Sequence, residues 1–538
     1  MECALNTSIS IKLKTLADVL RWPDADKWVA ATLVEIEAHI QNGTWELTQL
    51  PPGRWAISSC WVFKIKHLPD RSIDKYKGRI MAQGYLQVQG IHYNEIFTST
   101  ARMAAMCTIL AIAAAEDLEL ESLDISTTFL NRDIDAKVYM KVLEGLEVEG
   151  NPQPGEDPKR WVVCLLKGLY GIKQGPCIWA LKLHSVLTSI GFKCIDCNYS
   201  VYVYQHSDVR IMMPIHINDL LLASNSKAAI QSVKTNLATH FKLHNQGPTT
   251  LILGIKIEHD GTTCTIPLSQ PGYIKSILEQ FSMADCNPSL TPMDENQKLS
   301  AQMSPDTPEG RSEMAATPYH ELIGKLLYLA ITTHPDIAYV ISVLCHFIEN
   351  PGLPHWHAAK WILWYLRGTM DMKLIYSHSS VPNLFTTYSD ADLSRNLDNS
   401  HSTGGFAVCI GRGAVQWGSW LQPHISLSST KSEYTTASKV SCEVVWMRYL
   451  LEELGYDVSC PSPLLVDNKS AIQVVKHPKH QSTMKHVHHM YHWIRDLVDQ
   501  RQIAVSHIPG NKNPADIFTK PLGKLKFTKF RAMLRLRP

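Results

Sequence analysis

A marked excess of charge of either sign is missing from this sequence, in which 52 Lys and Arg residues face 50 Asp and Glu residues. A net charge of +2 does not by itself indicate a nucleic-acid-binding protein, so any basic surface has to come from local clusters. Long apolar runs are also missing. The longest, Met103 to Ala115, is too short to cross a bilayer and predicts a core helix. The chain starts without a charged segment followed by an apolar one, so no secretory signal and no membrane partner are expected.

The cysteines lack the regular spacing of a disulfide framework. They number 13 and are scattered along the chain, which indicates reduced thiols in an intracellular compartment. Cys194 and Cys197 form a single Cys-x-x-Cys pair, for which incidental thiols are favoured over a zinc site. With 538 residues, 45% of them hydrophobic, the chain can bury large cores and is expected to hold two to four domains.

One apolar stretch, Ile211 to Ala223, encloses a polar turn that contains Asn218 and Asp219. This pattern predicts a hairpin between two buried strands. A carboxylate in that setting is costly unless a positive group binds it, and a divalent metal ion is the favoured group. Asp124, at the end of another strand-like run, is the natural second ligand. The pair leads to the hypothesis of a metal-dependent polymerase palm with one amide in place of a carboxylate.

Basic residues cluster locally between Trp55 and Gln83, a stretch that is predicted to form two strands around a turn. Lys64, Lys77 and Arg79 alternate with apolar residues, so one face is expected to be basic and the other buried. Such a face is either a solvated sheet surface or a finger that grips phosphates. A second basic cluster closes the chain.

The remaining periodicities predict an ordered series of elements. Leu251 to Ile257 reads as one strand, and a loop-rich region with several helical runs follows it. From about residue 384 onward, strand-like runs alternate with helical ones. That order is typical of a mixed β–α–β layer fold.

Several motifs occur in a fixed order along the chain: Lys75-Tyr-Lys-Gly-Arg79, Leu123-Asp-Ile-Ser-Thr-Thr-Phe-Leu-Asn131, Leu169-Tyr-Gly-Ile-Lys-Gln-Gly-Pro176, Tyr388-Ser-Asp-Ala-Asp392, Leu427-Ser-Ser-Thr-Lys-Ser-Glu-Tyr434, Val466-Asp-Asn-Lys-Ser-Ala471 and Asn513-Pro-Ala-Asp-Ile-Phe-Thr-Lys520. In this order they resemble the reverse transcriptase and ribonuclease H portion of a copia-type LTR-retrotransposon polyprotein. The resemblance covers nearly the whole chain. Gag, protease and integrase portions are not seen, so it implies a C-terminal piece of such a polyprotein.

The resemblance implies an α/β (α+β) fold that combines a right-hand polymerase, with fingers, palm and thumb, and a ribonuclease H-like mixed-sheet domain. It places a helical lead-in at residues 1–42, reverse transcriptase fingers and palm at 43–260, a thumb and connection at 261–383, a ribonuclease H-like domain at 384–522 and a basic C-terminal tail at 523–538.

For the polymerase centre, the resemblance implies that Asp124 and Asp219 are catalytic metal ligands. Asn218 stands at a catalytic position where the family has an aspartate. An amide oxygen can coordinate a metal ion but brings no negative charge, so polymerase activity is expected to be impaired.

The resemblance also assigns substrate-binding residues. Phe129 occupies the place where relatives use an aromatic ring to exclude a sugar 2′-hydroxyl, and a core phenylalanine is an equal alternative. Gln174 is expected to touch the incoming nucleotide or the template. Lys77 or Arg79 is expected to contact the phosphates.

A second set of acids lies in the last domain, and their wide separation means that only a fold can gather them. By resemblance, one strand, one helix, a later strand and a late helix present Asp390, Glu433, Asp467 and Asp516 as catalytic ligands to two metal ions. One ion would activate water and the other would stabilise the leaving 3′-oxygen. His507 matches a loop histidine that is implied to help product or proton movement. Any one acid has the alternative of being a helix cap or a solvated charge.

The implied function is RNA-directed DNA polymerisation with ribonuclease H cleavage of RNA–DNA hybrids. The implied cofactors are two Mg²⁺ ions per active site, with Mn²⁺ as a substitute. The implied partners are an RNA template, a DNA primer, the RNA–DNA hybrid and deoxynucleoside triphosphates. The expected location is the cytoplasm, in a virus-like particle with access to the nucleus. The alternative is a decayed retroelement remnant that only binds nucleic acid, or that keeps only the hybrid nuclease.

Overall fold

A six-stranded antiparallel sheet carries Asp124 and Asp219 on two neighbouring strands. The computed structural model describes residues 19, 21, 23–67, 73–94, 96, 98–125, 133–142, 161–378, 385–411, 413–477 and 492–538. The helices in these ranges are α1 (Ala25–Gln41), α2 (Met103–Glu116), α3 (Gly175–Ser189), α4 (Lys227–Ala238), α5 (Pro271–Gln280), α6 (Pro308–Ala315), α7 (Tyr319–Thr332), α8 (Ala338–Cys345), α9 (Leu353–Gly368), α10 (Ser429–Glu453), α11 (Lys469–Lys476), α12 (Trp493–Asp499) and α13 (Lys524–Met533).

The strands of the described residues form five sheets. They are β1 (Trp45–Gln49), β2 (Ser59–His67), β3 (Ile73–Ala82), β4 (Glu119–Ile125), β5 (Asp133–Lys141), β6 (Trp161–Lys167), β7 (Lys193–Ile195), β8 (Asn198–His206), β9 (Val209–His216), β10 (Asp219–Ser224), β11 (Leu243–Pro248), β12 (Leu251–Ile252), β13 (Ile255–Ile257), β14 (Thr265–Ser269), β15 (Lys373–Ser377), β16 (Thr386–Asp392), β17 (Thr403–Ile410), β18 (Gly413–Leu421), β19 (Ser462–Val466), β20 (Ile503–His507) and β21 (Leu536–Arg537). Together they confirm the predicted mixed α/β class.

The six-stranded sheet has the order β11-β4-β10-β9-β8-β7. Side chains alternate along a strand, so Leu220 and Leu222 enter the core formed with α3 and α4, whereas Leu221 and Ala223 enter a second core with α2. Because both faces are covered, the four residues of β10 between Asp219 and Ser224 are all apolar. The predicted hairpin between two buried strands is confirmed, since β9 and β10 pair directly on either side of residues 217–218.

A second hairpin, β2–β3, has one basic and one buried face. Lys64 lies opposite Lys77 in the register, and Val62 lies opposite Arg79. On the other face Phe63 packs edge-on against Trp28 of α1, with ring centroids 5.5 Å apart. The two strands predicted between Trp55 and Gln83 are therefore confirmed, and α1 anchors them through Trp28, which is buried. Strands β1, β6 and β5 form a separate three-stranded sheet.

The middle of the chain is a five-stranded sheet, β12-β13-β14-β15-β21, packed with helix α5 and helices α7 to α9. Leu251 to Ile257 is not one strand, as the sequence analysis expected. It forms the short hairpin β12–β13, because Leu253 and Gly254 both adopt positive φ angles, 51° and 72°, and reverse the chain.

The last residues of the chain are also part of this sheet. Residues 523–538, expected as a basic tail, instead form helix α13 and strand β21, and β21 pairs with β15 at Lys373 and Leu374. Phe527 and Phe530 of α13 are buried. Their three-residue spacing puts both rings on one helix face, so the basic side chains occupy the outside of a packed helix. The middle sheet thus joins segments from before residue 260 and after residue 523.

The C-terminal sheet has the order β18-β17-β16-β19-β20. Strand β16 is antiparallel to β17 but parallel to β19, and β19 is parallel to β20. Helix α10 connects the antiparallel half to β19 and packs on β16. This is the mixed β–α–β arrangement that the order of sequence patterns predicted.

Across the described ranges, no helix is both long enough and apolar enough to cross a membrane.

Two candidate metal centres

The first candidate centre lies where the end of β4 pairs with the start of β10. Asp219 faces Asp124 directly in the antiparallel register. The turn before Asp219 depends on Ile217, whose φ of 58° is a left-handed conformation that a β-branched residue rarely adopts. Trp179 of α3 stabilises it by donating its indole N–H to the Ile217 carbonyl at 2.8 Å. The Asn218 carbonyl accepts the Ile125 N–H at 3.1 Å. These bonds hold the turn against the Asp124 strand.

Asn218 uses its side chain within this turn. Its amide Nδ2 donates a hydrogen bond to Oδ1 of Asp124. The carboxamide therefore engages the very carboxylate that a metal ion would need, and the centre supplies two carboxylates where the family pattern has three. Two half-buried carboxylates and an amide can hold a hard cation only with a reduced negative charge.

The four predicted substrate-binding residues have different surroundings. Lys77 is half-buried on the basic face of the β2–β3 hairpin. The Arg79 guanidinium lies 4.6 Å from the centre of the Tyr170 ring, and its buried Nε has no hydrogen-bond partner among the described residues. Phe129 lies outside the described residues. The Tyr170 ring thus holds the Arg79 guanidinium, and the phosphate-binding role of Lys77 and Arg79 stays a prediction.

Gln174 is buried rather than exposed to a ligand. Its Nε2 donates to the His92 carbonyl at 2.9 Å and its Oε1 accepts from Gln87 Nε2 at 3.0 Å. Both ends of the amide hold residues 87–92, and the expected contact of Gln174 with a nucleotide or template stays a prediction. Sequence reasoning missed this partner loop, since no local pattern connects Gln87 with a residue 87 positions later.

Gly171 brings this loop close to the hairpin. It has a φ of +89°, and a Cβ added there would lie 2.1 Å from the Ala82 carbonyl oxygen. Ala82 in turn donates its N–H to the Tyr170 carbonyl at 2.8 Å. Only glycine allows the two backbones to pack in this way. The motif Leu169 to Pro176 thus packs its backbone against Ala82, and this contact positions the Tyr170 ring against the Arg79 guanidinium.

The second candidate centre is more deeply buried. Asp390 comes from β16, Glu433 from the first turns of α10, and Asp467 from the residue after β19. One carboxylate oxygen from each lies within 4.8 Å of the other two. Asp390 and Glu433 are almost fully buried, and Asp467 is half-buried. Three acids separated by 43 and 34 residues in the sequence therefore share one small volume.

Burial dominates the electrostatics of these acids. Loss of hydration raises the pKa of Asp390 to about 7, opposed by the nearby Lys520 ammonium. Burial, reinforced by the neighbouring carboxylates, also raises the pKa of Glu433, and burial raises that of Asp467. Glu433 Oε2 is buried with no hydrogen-bond partner in the described part of the chain. An all-oxygen set with an unpartnered oxygen fits a hard divalent cation such as Mg²⁺ or Mn²⁺.

Asp516 lies beside this three-acid group, next to Asp390, and is not one of the three. It lies on the short 3₁₀ helix Pro514–Phe518, and its carboxylate pairs with Lys520 at 2.9 Å and with Lys526. Burial alone would raise the pKa of Asp516, but the two lysines lower it overall. The expectation that Asp516 is a fourth metal ligand stays a prediction: three acids converge closely enough to share one ion, and two lysines hold the fourth acid beside them.

Residues missed by sequence reasoning organise this second centre. Thr519 donates its hydroxyl to Asp390, and Lys520 Nζ lies 3.6 Å from the same carboxylate. Asn513 ties the 3₁₀ helix to β16 through the Ser389 carbonyl at 2.9 Å. The signal was present in the motif Asn513 to Lys520, of which only Asp516 was read as functional.

His507 ends β20, where it lies opposite Val466 in the parallel register. Val466 precedes Asp467, so His507 borders the acid cluster from the neighbouring strand. Its side chain is exposed.

The chain matches known proteins along most of its length. The family described as reverse transcriptase (RNA-dependent DNA polymerase) matches residues 42–295. The retrovirus-related Pol polyprotein from transposon TNT 1-94 of Nicotiana tabacum is 37% identical over 521 residues, which cover 96% of this chain and 38% of that polyprotein. The chain therefore spans well under half of this relative.

Two further similarities extend this result. The putative transposon Ty5-1 protein of Saccharomyces cerevisiae is 32% identical over 323 residues, which cover 60% of this chain and 100% of that protein. Among solved structures, the chain is similar to a foamy viral protease-reverse transcriptase in complex with double-stranded DNA. The match covers 90% of this chain and 70% of the viral chain, at 11% identity and a TM-score of 0.46.

Proposed function

Because the chain belongs to the reverse transcriptase (RNA-dependent DNA polymerase) family, as found in the Pol polyproteins of copia-type retrotransposons, we propose that it carries two phosphoryl-transfer centres of unequal quality. The centre of Asp390, Glu433 and Asp467 is a nuclease that cleaves the RNA strand of RNA–DNA hybrids. The centre of Asp124 and Asp219 is an RNA-directed DNA polymerase impaired by Asn218.

The observation that carries the nuclease proposal is the convergence of two buried carboxylates and one half-buried one, with one oxygen that has no partner among the described residues. A divalent cation bound there would supply Lewis-acid activation for phosphodiester hydrolysis. Asp390, Glu433 and Asp467 would hold it. Thr519 orients the Asp390 carboxylate through its hydroxyl hydrogen bond. Burial of the cluster excludes bulk water and so strengthens each electrostatic contact. His507, exposed on the adjacent strand end, is available to move a proton or to assist product release.

The polymerase proposal follows from the same chemistry with less charge. Asp124 and Asp219 would hold the cation, while the Asn218 amide donates to Asp124 and brings no charge of its own. At an effective dielectric of about 20, one unit charge at about 4 Å contributes about 4 kcal/mol. A loss of that size lowers a rate roughly a thousandfold.

Substrate binding by the fingers is proposed to work through the basic face of the β2–β3 hairpin. Lys77 and Arg79 would contact phosphates, and Arg79 is held over the Tyr170 ring for this role. Gln174 would act as a positioning residue by fixing residues 87–92. If Phe129 follows the family pattern, it would exclude a 2′-hydroxyl.

The partners that fit this activity are an RNA template, a DNA primer, their hybrid and deoxynucleoside triphosphates. Two Mg²⁺ or Mn²⁺ ions per centre are the proposed cofactors. The proposed setting is a cytoplasmic virus-like particle with access to the nucleus.

The experiment that tests the nuclease is cleavage of a labelled RNA–DNA hybrid by the full chain with Mg²⁺ or Mn²⁺. Wild type is expected to cut, and Glu433→Gln is expected to lose at least about a hundredfold in rate. Glu452→Gln, an exposed acid on the same helix, is the matched control and should cut like wild type. Equal cutting by wild type and Glu433→Gln would remove this centre. Absence of both cutting and primer extension would favour a remnant that only binds nucleic acid.

A further inference from the structure

Lys520 places its ammonium group between two acids of the second centre. Its Nζ lies 2.9 Å from Asp516 Oδ1 and 3.6 Å from Asp390 Oδ2. Lys520 follows Thr519, whose hydroxyl is bonded to the same Asp390 carboxylate. The segment from Asp516 to Lys520 therefore places both a carboxylate and an ammonium group beside Asp390.

The centre thus contains two places for a cation, and they share Asp390. The first is bounded by Asp390, Glu433 and Asp467, where Glu433 Oε2 has no partner among the described residues. The second lies between Asp390 and Asp516, and there the Lys520 ammonium takes the position. A divalent ion and an ammonium cannot occupy the second place together, because both need the same carboxylate oxygens and repel each other.

We propose that Lys520 is a built-in counterion for the second place, so that the centre takes up one divalent ion readily and a second only by displacing the Lys520 side chain. This inference rests on the proposed nuclease centre and assigns to Lys520 a positioning role that no other described lysine near the cluster shares. Lys526 contacts Asp516 but has no contact with Asp390 among those described. In the described part of the chain, only Lys520 bridges the two acids.

Displacement of Lys520 is physically accessible. About 28% of its side chain is exposed, and a lysine stem can rotate its ammonium away without moving the backbone. A substrate phosphate would provide an alternative partner for the displaced ammonium. Uptake of the second ion would then be coupled to the arrival of the hybrid, and the substrate-free centre would remain charge-balanced.

The test is calorimetric titration of Mn²⁺ into the full chain, with the number of bound ions counted independently by electron paramagnetic resonance. Wild type is expected to bind one ion at this centre, and a second ion at least tenfold more weakly. Lys520→Gln is expected to tighten the second ion at least tenfold and to leave the first within about twofold. Glu433→Gln, added to each protein, identifies the first ion by its loss.

Two variants keep the test falsifiable. Lys524→Gln removes an exposed lysine of the same segment and should bind Mn²⁺ like wild type. Lys520→Arg keeps the positive charge and should also leave the second ion weak. The proposal is overturned if wild type already binds two ions of equal affinity at this centre, counted as the ions that Asp390→Asn removes, if Lys520→Gln leaves the second ion unchanged, or if Lys520→Arg tightens it like Lys520→Gln. The wild-type count alone decides the matter should Lys520→Gln fail to fold.

Hybrid cleavage measured on the same samples separates this inference from the proposed function. If the ions bind as expected but the hybrid stays intact, the nuclease proposal fails and the role of Lys520 stands. If the hybrid is cut while wild type binds two equivalent ions, the nuclease stands and the role of Lys520 fails.

Discussion

The side-chain amide of Asn218, in the turn before β10, donates a hydrogen bond to the carboxylate of Asp124 near the end of β4. This bond gives the Asp124 carboxylate a hydrogen-bond donor without any cation. A third carboxylate in place of Asn218 could not donate such a bond and would repel Asp124 instead. A single amide therefore has two consequences: it lowers the charge available to a metal ion and it lowers the need for one. Both can be measured.

Reversion of Asn218 to aspartate is expected to raise primer extension with Mg²⁺ roughly a thousandfold, because it restores about 4 kcal/mol of charge interaction. The same change should lower the melting temperature in EDTA, since three carboxylates then repel one another, and Mg²⁺ should restore it. Asn236→Asp, at an exposed position of α4, is the control for an added charge. Equal extension by wild type and the revertant would show that Asn218 does not limit the polymerase.

Stability of the metal-free protein is expected to fall as pH rises through the range from about 4 to about 7. The folded-state pKa of Asp390 is raised from 3.8 to about 7 by burial, so the folded chain binds more protons than the unfolded chain in this window. The Asp390 contribution is thus fully present below about pH 4 and is lost as pH approaches 7. Thermal unfolding in EDTA from pH 5 to pH 8 measures it.

Asp390→Asn should flatten that pH dependence, because the amide needs no proton to stay neutral. Asp499→Asn, an exposed acid on α12, should retain the wild-type slope. Added Mn²⁺ should raise the melting temperature more at pH 8 than at pH 5, since it competes with the protons on the same carboxylates. A slope that is identical in wild type and Asp390→Asn would contradict the prediction.

Substitution of Lys77 by glutamine is expected to weaken hybrid binding uniformly across sequences, because a phosphate contact reads no base. The slope of log affinity against log salt should decrease in magnitude by about 1. Fluorescence anisotropy in EDTA at several KCl concentrations measures both effects. Lys227→Gln, an exposed lysine at the start of α4, should leave the slope unchanged, and an unchanged slope for Lys77→Gln would show that the hairpin face is merely solvated.

Replacement of Gly171 by alanine is expected to lower the free energy of unfolding by more than about 1 kcal/mol, because the position combines a positive φ with a backbone contact to Ala82. Denaturant unfolding measures the change. Gly272→Ala lies in α5 where an added Cβ meets nothing within 4 Å, so this control should be neutral or stabilising. Comparable destabilisation of both variants would exclude the packing explanation.

Much of the architecture can be predicted from the sequence alone. The apolar run around Asn218 and Asp219 predicts a hairpin, the alternation of Lys77 and Arg79 with apolar residues predicts a two-faced ribbon, and the C-terminal order of patterns predicts a mixed sheet. These features depend on a few neighbouring residues, because strand alternation and helix periodicity are set by local backbone geometry. The identity of the candidate acids likewise followed from the order of motifs along the chain.

The partners of those acids depend on the tertiary structure. Asp516 is held by Lys520 and Lys526 beside the three-acid cluster, Gln174 is used to hold Gln87, and the basic C-terminal segment packs as helix and strand. The sequence by itself determined which elements form and which side chains are available at their ends. Only the tertiary structure decided which charges meet, because residues far apart in the chain come together through the packing of whole elements, and local patterns carry no information about that packing.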